Sequence, residues 1–325
     1  MKKLKAFFNP EQYHGWGETR RYFEQWYFKV VDHSEKKVFA FIPGIAMDEA
    51  GNRQGFIQVL DGKNNTEIYR RFDHSDFIPA PDKFEVRILD NFFSERKIRL
   101  NLPEVSGELY FSGNSAWPKR RYSPDVMCPH SFAPFMECSR WIVSMDHSIN
   151  GELEMDDKLI RFENGRGYIE KEWGRSFPGA YVWMQTNHFS EPGASLFASA
   201  ARIPRKRNFF TGFTSGLWLY DRMIELAAYN GTRLRKCYVD TKKVELVMEN
   251  KMHRIELEVK RNHSAALSSP VQRFMDGRIE ESMTSEVKVQ LTDVESGNVI
   301  FDDTGRNAGL DVTGRIEELI LWEME

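Results

Sequence analysis

Tyr22-Phe23-Glu24-Gln25-Trp26-Tyr27-Phe28-Lys29-Val30-Val31 is followed, after a polar break, by Val38-Phe39-Ala40-Phe41-Ile42-Pro43-Gly44-Ile45-Ala46-Met47. Both runs are rich in rings and β-branched residues, so each reads as a strand. Working outward, similar runs recur about every ten residues, the spacing of a sandwich or barrel. They include Phe56 to Leu60, Lys97 to Leu102, Arg140 to Met145, Gly151 to Met155, Leu159 to Phe162, Gly167 to Trp173, Tyr181 to Phe189, and Thr284 to Leu291. Asp61-Gly62, Asn150-Gly151, Asn164-Gly165, Asn230-Gly231, Asp276-Gly277 and Ser296-Gly297 supply the turn signals. Helical periodicity is weak, with one short helix expected at most in each of Glu11 to Tyr22 and the segment after Ser264. The fold class is all-β, built of antiparallel strands. At 325 residues the chain is longer than one ordinary core serves. Two tandem domains are expected, residues 1–155 and 156–325, with the boundary between about 150 and 165. The Pro-rich stretch Trp117 to Pro134 is expected to cross the surface or cap a barrel mouth.

Hydrophobic residues at 41% are enough to bury real cores, and a 13% aromatic share raises the expectation of an apolar ligand. A net charge of -3, from 45 basic and 48 acidic residues, argues against a nucleic-acid partner. The basic clusters Lys119-Arg120-Arg121 and Arg202 to Arg207 read as solvated loops, or as a peripheral contact with an anionic membrane surface. Three cysteines cannot pair completely, and the apolar run after Met1-Lys2-Lys3-Leu4-Lys5 is too short for a secretion signal. A cytoplasmic setting, with possible membrane-peripheral contact, is the expectation.

Gly167-Tyr168-Ile169-Glu170-Lys171-Glu172-Trp173-Gly174-Arg175-Ser176-Phe177-Pro178 is the segment richest in chemistry. Strand alternation puts Tyr168, Glu170 and Glu172 on one side and Ile169, Lys171 and Trp173 on the other. Two carboxyls on one face form an acid/base pair if buried together, and a solvated acidic stripe if not. In Tyr181-Val182-Trp183-Met184-Gln185-Thr186-Asn187-His188-Phe189 the set Tyr181, Trp183, Gln185, Asn187 and Phe189 shares a face. Rings mixed with amides suit a ligand wall; the alternative is a half-exposed edge strand. Glu24 lies on one face with Tyr22, Trp26 and Phe28, as a polar latch or a functional acid. His130 lies on a segment expected to cap a pocket. Cys128, His130, Glu137 and Cys138 lack the spacing of a zinc site. The triplets Asp32-His33-Ser34, Asp73-His74-Ser75 and Asp146-His147-Ser148 read as turns, since triad members meet through folding. No phosphate loop, dinucleotide fingerprint or nucleophile elbow is present.

These segments resemble the tocopherol cyclase-like family. Its pattern Phe-Glu-Gly-Trp-Tyr-Phe-Lys is matched by Phe23 to Lys29, with Gln25 in place of Gly. Glu-Lys-Asp-Trp-Gly-x-Ser-Phe-Pro is similar to Glu170 to Pro178, with Glu172 for Asp. Trp-x-Gln-x-Asn-x-Phe is carried by Trp183 to Phe189, Pro-Phe-Met-Glu-Cys by Pro134 to Cys138, and a C-terminal pattern by Gly305, Ala308, Gly309, Leu310 and Asp311. The resemblance implies two lipocalin-like barrels, related to those of carotenoid hydratase-like proteins. It also implies closure of a chromanol ring on a prenylated phenol, an isomerisation that needs no redox cofactor or metal. Such a reaction requires an acid that protonates an alkene from a dry pocket. Glu172 and Glu170 are the first candidates, and Glu24 the third. The expected substrate contacts are Trp26, Tyr168, Trp173, Tyr181, Trp183, Gln185, Asn187, Phe189 and His130. Two other readings stand beside cyclisation: hydration of an isolated alkene, and carriage of an apolar metabolite without chemistry.

Overall fold

The computed structural model describes residues 6–119, 125–126, 136–205, 208–261, 264–269, 275, 277–315 and 319. The first sheet is formed by β1 (Tyr22–Val31), β2 (Val38–Met47), β3 (Arg53–Asp61), β4 (Thr66–Asp73), β5 (Phe77–Pro79), β6 (Glu85–Ile88), β7 (Asn91–Ser94), β8 (Lys97–Asn101), β9 (Val105–Ser112), β10 (Cys138–Met155) and β11 (Lys158–Gly174). Its order is β4-β3-β2-β1-β11-β10-β9-β8-β7-β6-β5, so the chain's first strand closes on its eleventh. The second sheet uses β12 (Ala180–Thr186), β13 (Ser195–Arg205), β14 (Asn208–Leu219), β15 (Arg222–Ala227), β16 (Arg233–Val239), β17 (Lys243–Glu249), β18 (His253–Lys260), β19 (Ala265–Ser269), β20 (Gly277–Asp293) and β21 (Val299–Gly314). Its order is β15-β14-β13-β12-β21-β20-β18-β17-β16, with β19 paired to β20. The fold is all-β, with two lipocalin-like antiparallel barrels. No helix of the described residues is long and apolar enough to cross a membrane.

The described residues divide into two compact units. Unit 1 holds those within Met1–Val126, Glu137–Phe177 and Ser268–Arg278; unit 2 holds chiefly those within Pro178–Leu267 and Ile279–Glu325. The sequence reading put a boundary at 155/156. That point is the hairpin between β10 and β11, both of which lie in unit 1. Asp156 and Asp157, at φ of 50° and 61°, make this two-residue turn.

Several local expectations change. Asn150-Gly151 and Asn164-Gly165 are not turns: they lie inside the long strands β10 and β11, where the register shifts between Ile149 and Asn150. Turn-forming residues here serve a bulge, with Asn164 N–H donating to Asn150 Oδ1 at 3.1 Å. Asp146-His147-Ser148 also lies within β10 at a bulge rather than in a turn. Ser144 Oγ donates to the Asp146 carbonyl at 2.8 Å, so it accepts from His147 Nδ1 at 3.0 Å. Burial, reinforced by Arg166, pushes His147 down to about 3, which keeps the imidazole neutral. Residues 11–21 contain no helix, and those after Ser264 run into β19. Most of the Pro-rich stretch 117–134 lies outside the described residues.

Unit 1 packs rings inside its sheet. Trp26 stacks on Phe84 at 5.5 Å between centroids, and Phe28 meets Phe93 at 5.8 Å and Phe111 at 6.1 Å. Val182, Met184, Leu196, Ala198, Leu246, Leu257 and Val289 belong to the unit 2 core. Full burial of one such side chain is worth about 1.5–3 kcal/mol. β1 is buried along its whole length, and β11 from Gly167 to Glu172, so both faces of this central strand pair are shielded from water.

Gly174 ends β11 at a φ of +153°, and a Cβ there would lie 2.1 Å from the Glu137 carbonyl oxygen. Gly174→Ala is therefore expected to cost about 1–3 kcal/mol. Urea unfolding should show a lower midpoint at unchanged slope; an unchanged midpoint would reject this reading of the glycine.

Candidate active site

The pairing of β1 with β11 sorts every candidate residue of unit 1. Residues directly opposite each other share a face. Phe23 faces Gly174, Gln25 faces Glu172, Tyr27 faces Glu170 and Lys29 faces Tyr168; on the other side Glu24 faces Trp173, Trp26 faces Lys171 and Phe28 faces Ile169. The second set includes Trp26 and Phe28 of the ring cluster, so it is the inner face. The first set is the outer face, and it too is buried, with Glu170 only 3% and Glu172 only 4% exposed. A solvated acidic stripe is thereby excluded.

On the inner face Lys171 and Glu24 form a fully buried ion pair at 2.7 Å. Lys171 Nζ also donates to the carbonyl of Pro10 at 2.9 Å, to that of Gln12, and to His14 Nδ1. Glu24 accepts from the backbone N–H of His14 at 2.9 Å, from that of Gly15 at 3.0 Å, and from Tyr22 Oη at 2.5 Å. Burial pushes the Glu24 carboxyl up, but Lys171 and His14 outweigh it and leave it below the ordinary glutamate value. Burial brings Lys171 down to about 8 against the pull of Glu24. Burial and the Lys171 ammonium hold His14 below its usual value, so a neutral imidazole accepts the lysine hydrogen bond. Trp173 stacks on His14 at 4.4 Å, and the ammonium lies 4.4 Å from the Trp173 ring and 5.3 Å from that of Trp26. Trp26 Nε1 donates to the Glu11 carbonyl at 3.0 Å. These residues pin segment 10–15 to the sheet. Glu24 is thus the polar latch, and it is a poor proton donor because four donors favour its carboxylate. Trp26 and Trp173 pack against the latch, on the opposite face from Glu170 and Glu172, so they are not walls of the acid face.

On the outer face Arg140 of β10 stands opposite Glu172. Its Nε donates to Glu172 Oε1 at 3.0 Å, and its Nη2 donates to the same oxygen. Glu172 Oε2 accepts from Gln25 Nε2 at 3.1 Å. Glu170 is held differently. Its Oε2 meets Tyr168 Oη at 2.7 Å, while its Oε1 lies 3.8 Å from Arg140 Nε, beyond hydrogen-bond reach. Burial, then Glu170, push the Tyr168 phenol well above its usual value; burial, then Glu172, do the same for the Cys138 thiol. Both groups stay neutral at physiological pH. For Arg140, burial is outweighed by Glu172 and Glu170, which keep it charged. Two carboxyls, the Arg140 guanidinium, the Lys29 ammonium, the Tyr27 and Tyr168 phenols and the Gln25 amide therefore share a dry face.

Unit 2 treats its candidates by the same rule. Ala180, Val182 and Met184 of β12 enter the core, so Tyr181, Trp183 and Gln185 point to the opposite face, where all three are nonetheless buried. Tyr181 Oη donates to Asp311, which also accepts from Thr313 Oγ1 at 2.6 Å. A Cβ on Gly309 would lie 2.6 Å from Trp183 Cζ3, so only glycine lets the indole lie flat on β21. Asn187 is buried beyond the end of β12. Phe189 departs from expectation. β12 ends at Thr186 and the alternation with it, so Phe189 turns into the core and packs on Phe301 at 5.4 Å. His130 lies outside the described residues, which contain no group of three or more metal-ligating side chains.

The family model described as tocopherol cyclase-like matches residues 114–314, well over half of the chain. The chain belongs to the tocopherol cyclase-like family. It is 23% identical over 365 residues to the rice (Oryza sativa subsp. japonica) protein named "Probable tocopherol cyclase, chloroplastic", covering 93% of this chain and 77% of that one. It is 27% identical over 197 residues to the maize (Zea mays) "Tocopherol cyclase, chloroplastic", covering 56% of this chain and 40% of the maize protein. Among solved structures it resembles CghA bound to Sch210972, at a TM-score of 0.58 and 10% identity over 91% of this chain and 89% of that one. It also resembles kievitone hydratase from Nectria haematococca, at a TM-score of 0.51 and 8% identity over 91% and 90%. These likenesses establish the fold.

Within a tocopherol cyclase-like protein, the two motif blocks at Phe23 and Glu170 are thus partners in one ladder. Sequence reasoning missed Arg140 and His14, and it gave Lys171 and Asp311 no role in a site. Alternation did mark Lys171 as facing away from the glutamates, and a lysine on a Trp-bearing face calls for a buried carboxylate. Arg140 carried no such signal, because its partner lies 32 residues on in β11.

Because its folded pKa is depressed, Glu24 contributes stability above the unfolded glutamate value of about 4.3, and that contribution is lost as pH falls through the folded value. Glu24→Gln should therefore destabilise the protein at pH 7 and progressively less toward pH 3. Lys171→Met, which strands the carboxylate, should cost about 3–5 kcal/mol at neutral pH. Chemical denaturation across pH checks both. A pH-independent cost of Glu24→Gln would contradict the ion-pair account.

Proposed function

We propose that the protein is an acid catalyst of an intramolecular cyclisation, acting on a prenylated phenol or a similar apolar polyene at the outer face of β1 and β11. The observation that carries the reading is the burial of two carboxyls, Glu170 at 3% and Glu172 at 4% exposure, on one face with rings. Glu172 accepts two N–H donors from Arg140, and Glu170 accepts from the Tyr168 hydroxyl and forms a longer ion pair with Arg140 at 3.8 Å. Glu170 is then the proton donor, and Glu172 with Arg140 fixes its surroundings.

The steps balance without any co-reactant. The Glu170 carboxyl gives its proton to the less substituted carbon of a trisubstituted alkene, leaving a tertiary cation. The phenol oxygen adds to that cation, closing the ring, and the phenol proton returns to the Glu170 carboxylate. An alkene is a weak base, so the acid must act in a water-poor setting, and the burial of this face supports that requirement. Ring faces of Tyr27, Phe56 and Tyr168 stabilise the cation, at about 0.5–2 kcal/mol each. Folding the tail over the phenol supplies much of the remaining rate.

Incubation with farnesylhydroquinone and mass analysis of the product tests the reading. Cyclisation leaves the mass unchanged, hydration adds one water, and a carrier returns the ligand unaltered. Glu170→Gln should lower turnover by at least ~10²-fold while ligand binding persists. Wild-type turnover in that variant would remove Glu170 from the reaction.

A further inference from the structure

Gln25 stands on the outer face beside Glu172. Its amide orientation follows from its neighbour. Glu172 Oε1 already receives two N–H donors from Arg140, and Oε2 faces the Gln25 amide at 3.1 Å. Turning the amide over would press two acceptor oxygens together, so Nε2 must face the carboxylate. Gln25 Oε1 is left buried with no hydrogen-bond partner among the described residues, on a side chain only 5% exposed.

The surroundings explain why nothing in the sheet satisfies it. On β2 the residue opposite Gln25 is Gly44, which has no side chain. The ring of Phe56 covers that glycine, since a Cβ there would lie 2.3 Å from Phe56 Cζ. The preceding outer-face residue on β1 is Phe23, which packs on Phe177. An acceptor bordered by rings and a bare glycine, with an acid on its other flank, lacks only a donor. Buried acceptors are rarely left in that state, and each such exception calls for an explanation.

We infer that Gln25 is a specificity-determining residue whose Oε1 accepts a hydrogen bond from a hydroxyl group of the bound substrate. This rests on the reading of the outer face as the substrate site. It adds where a substrate hydroxyl is held, at Gln25 beside Phe56. A site built around such an acceptor discriminates against analogues that lack the donor. Gln25 holds the hydroxyl in place and takes no part in proton transfer to the alkene. That makes it independent of Glu170.

The test compares farnesylhydroquinone with its dimethyl ether, which keeps the ring and tail but has no O–H. Titration of the wild-type protein should show the hydroquinone binding about tenfold tighter than the ether. In Gln25→Leu and Gln25→Gly the two ligands should bind within about twofold of each other, with melting temperatures confirming that at least one variant is folded. Glu170→Gln should retain the tenfold preference. An equal preference in wild type, or a preference unchanged in both Gln25 variants, would overturn the assignment. Normal turnover by Glu170→Gln with the preference intact would remove the acid alone and leave the acceptor standing. Failure of both ligands to bind the wild-type protein would reject the site and the acceptor together.

Discussion

The antiparallel pairing of β1 with β11 places charged residues on both faces of a strand that neither face opens to water. Charge buried without a partner is too costly for a marginally stable fold. Every ionic group of this ladder therefore has to be matched from another part of the chain. Lys171 is matched by Glu24 of β1 and by the carbonyls of segment 10–15, and Glu172 by Arg140 of β10. The ion pairs do more than offset burial. They tie the N-terminal segment to the sheet and fix the spacing of the outer-face carboxyls.

The same constraint distinguishes the buried glutamates by the donors around them. A carboxylate surrounded by donors is stabilised in its charged form and gives up nothing to a weak base. Glu24, with an ammonium, two backbone N–H groups and a phenol, is the extreme case. Glu170 accepts from the Tyr168 phenol, lies 3.8 Å from Arg140 Nε, and shares its face with rings, with Lys29 and with the Gln25 amide. On the proposed reading, which face and which neighbour each residue meets gives these glutamates different roles.

Much of this was legible in the sequence. Tyr22–Val31 and Val38–Met47 stand as strands where their rings and β-branched residues placed them, and period-two alternation correctly grouped Tyr168, Glu170 and Glu172. What failed did so for physical reasons. Asn-Gly pairs read as turns belong to bulges in strands of 18 and 17 residues, because local turn chemistry serves either purpose. Phe189 was grouped with Trp183 by extending the alternation past the point where β12 ends. Trp26 and Trp173 looked like pocket walls, since a ring on an alternating strand says nothing about which face is the core. Arg140 and His14 were invisible because their partners arrive only through folding.

The central claim is that an apolar, hydroxyl-bearing ligand lies against the outer face of the β1–β11 sheet. Photolabelling with a prenylated hydroquinone that carries a benzophenone, followed by peptide mapping, tests it directly. The account predicts adducts on peptides containing Tyr27, Phe56 or Tyr168, suppressed by excess unlabelled hydroquinone. Adducts confined to the inner rings Phe28, Phe93 and Phe111, or to surface strands remote from β1 and β11, would contradict it.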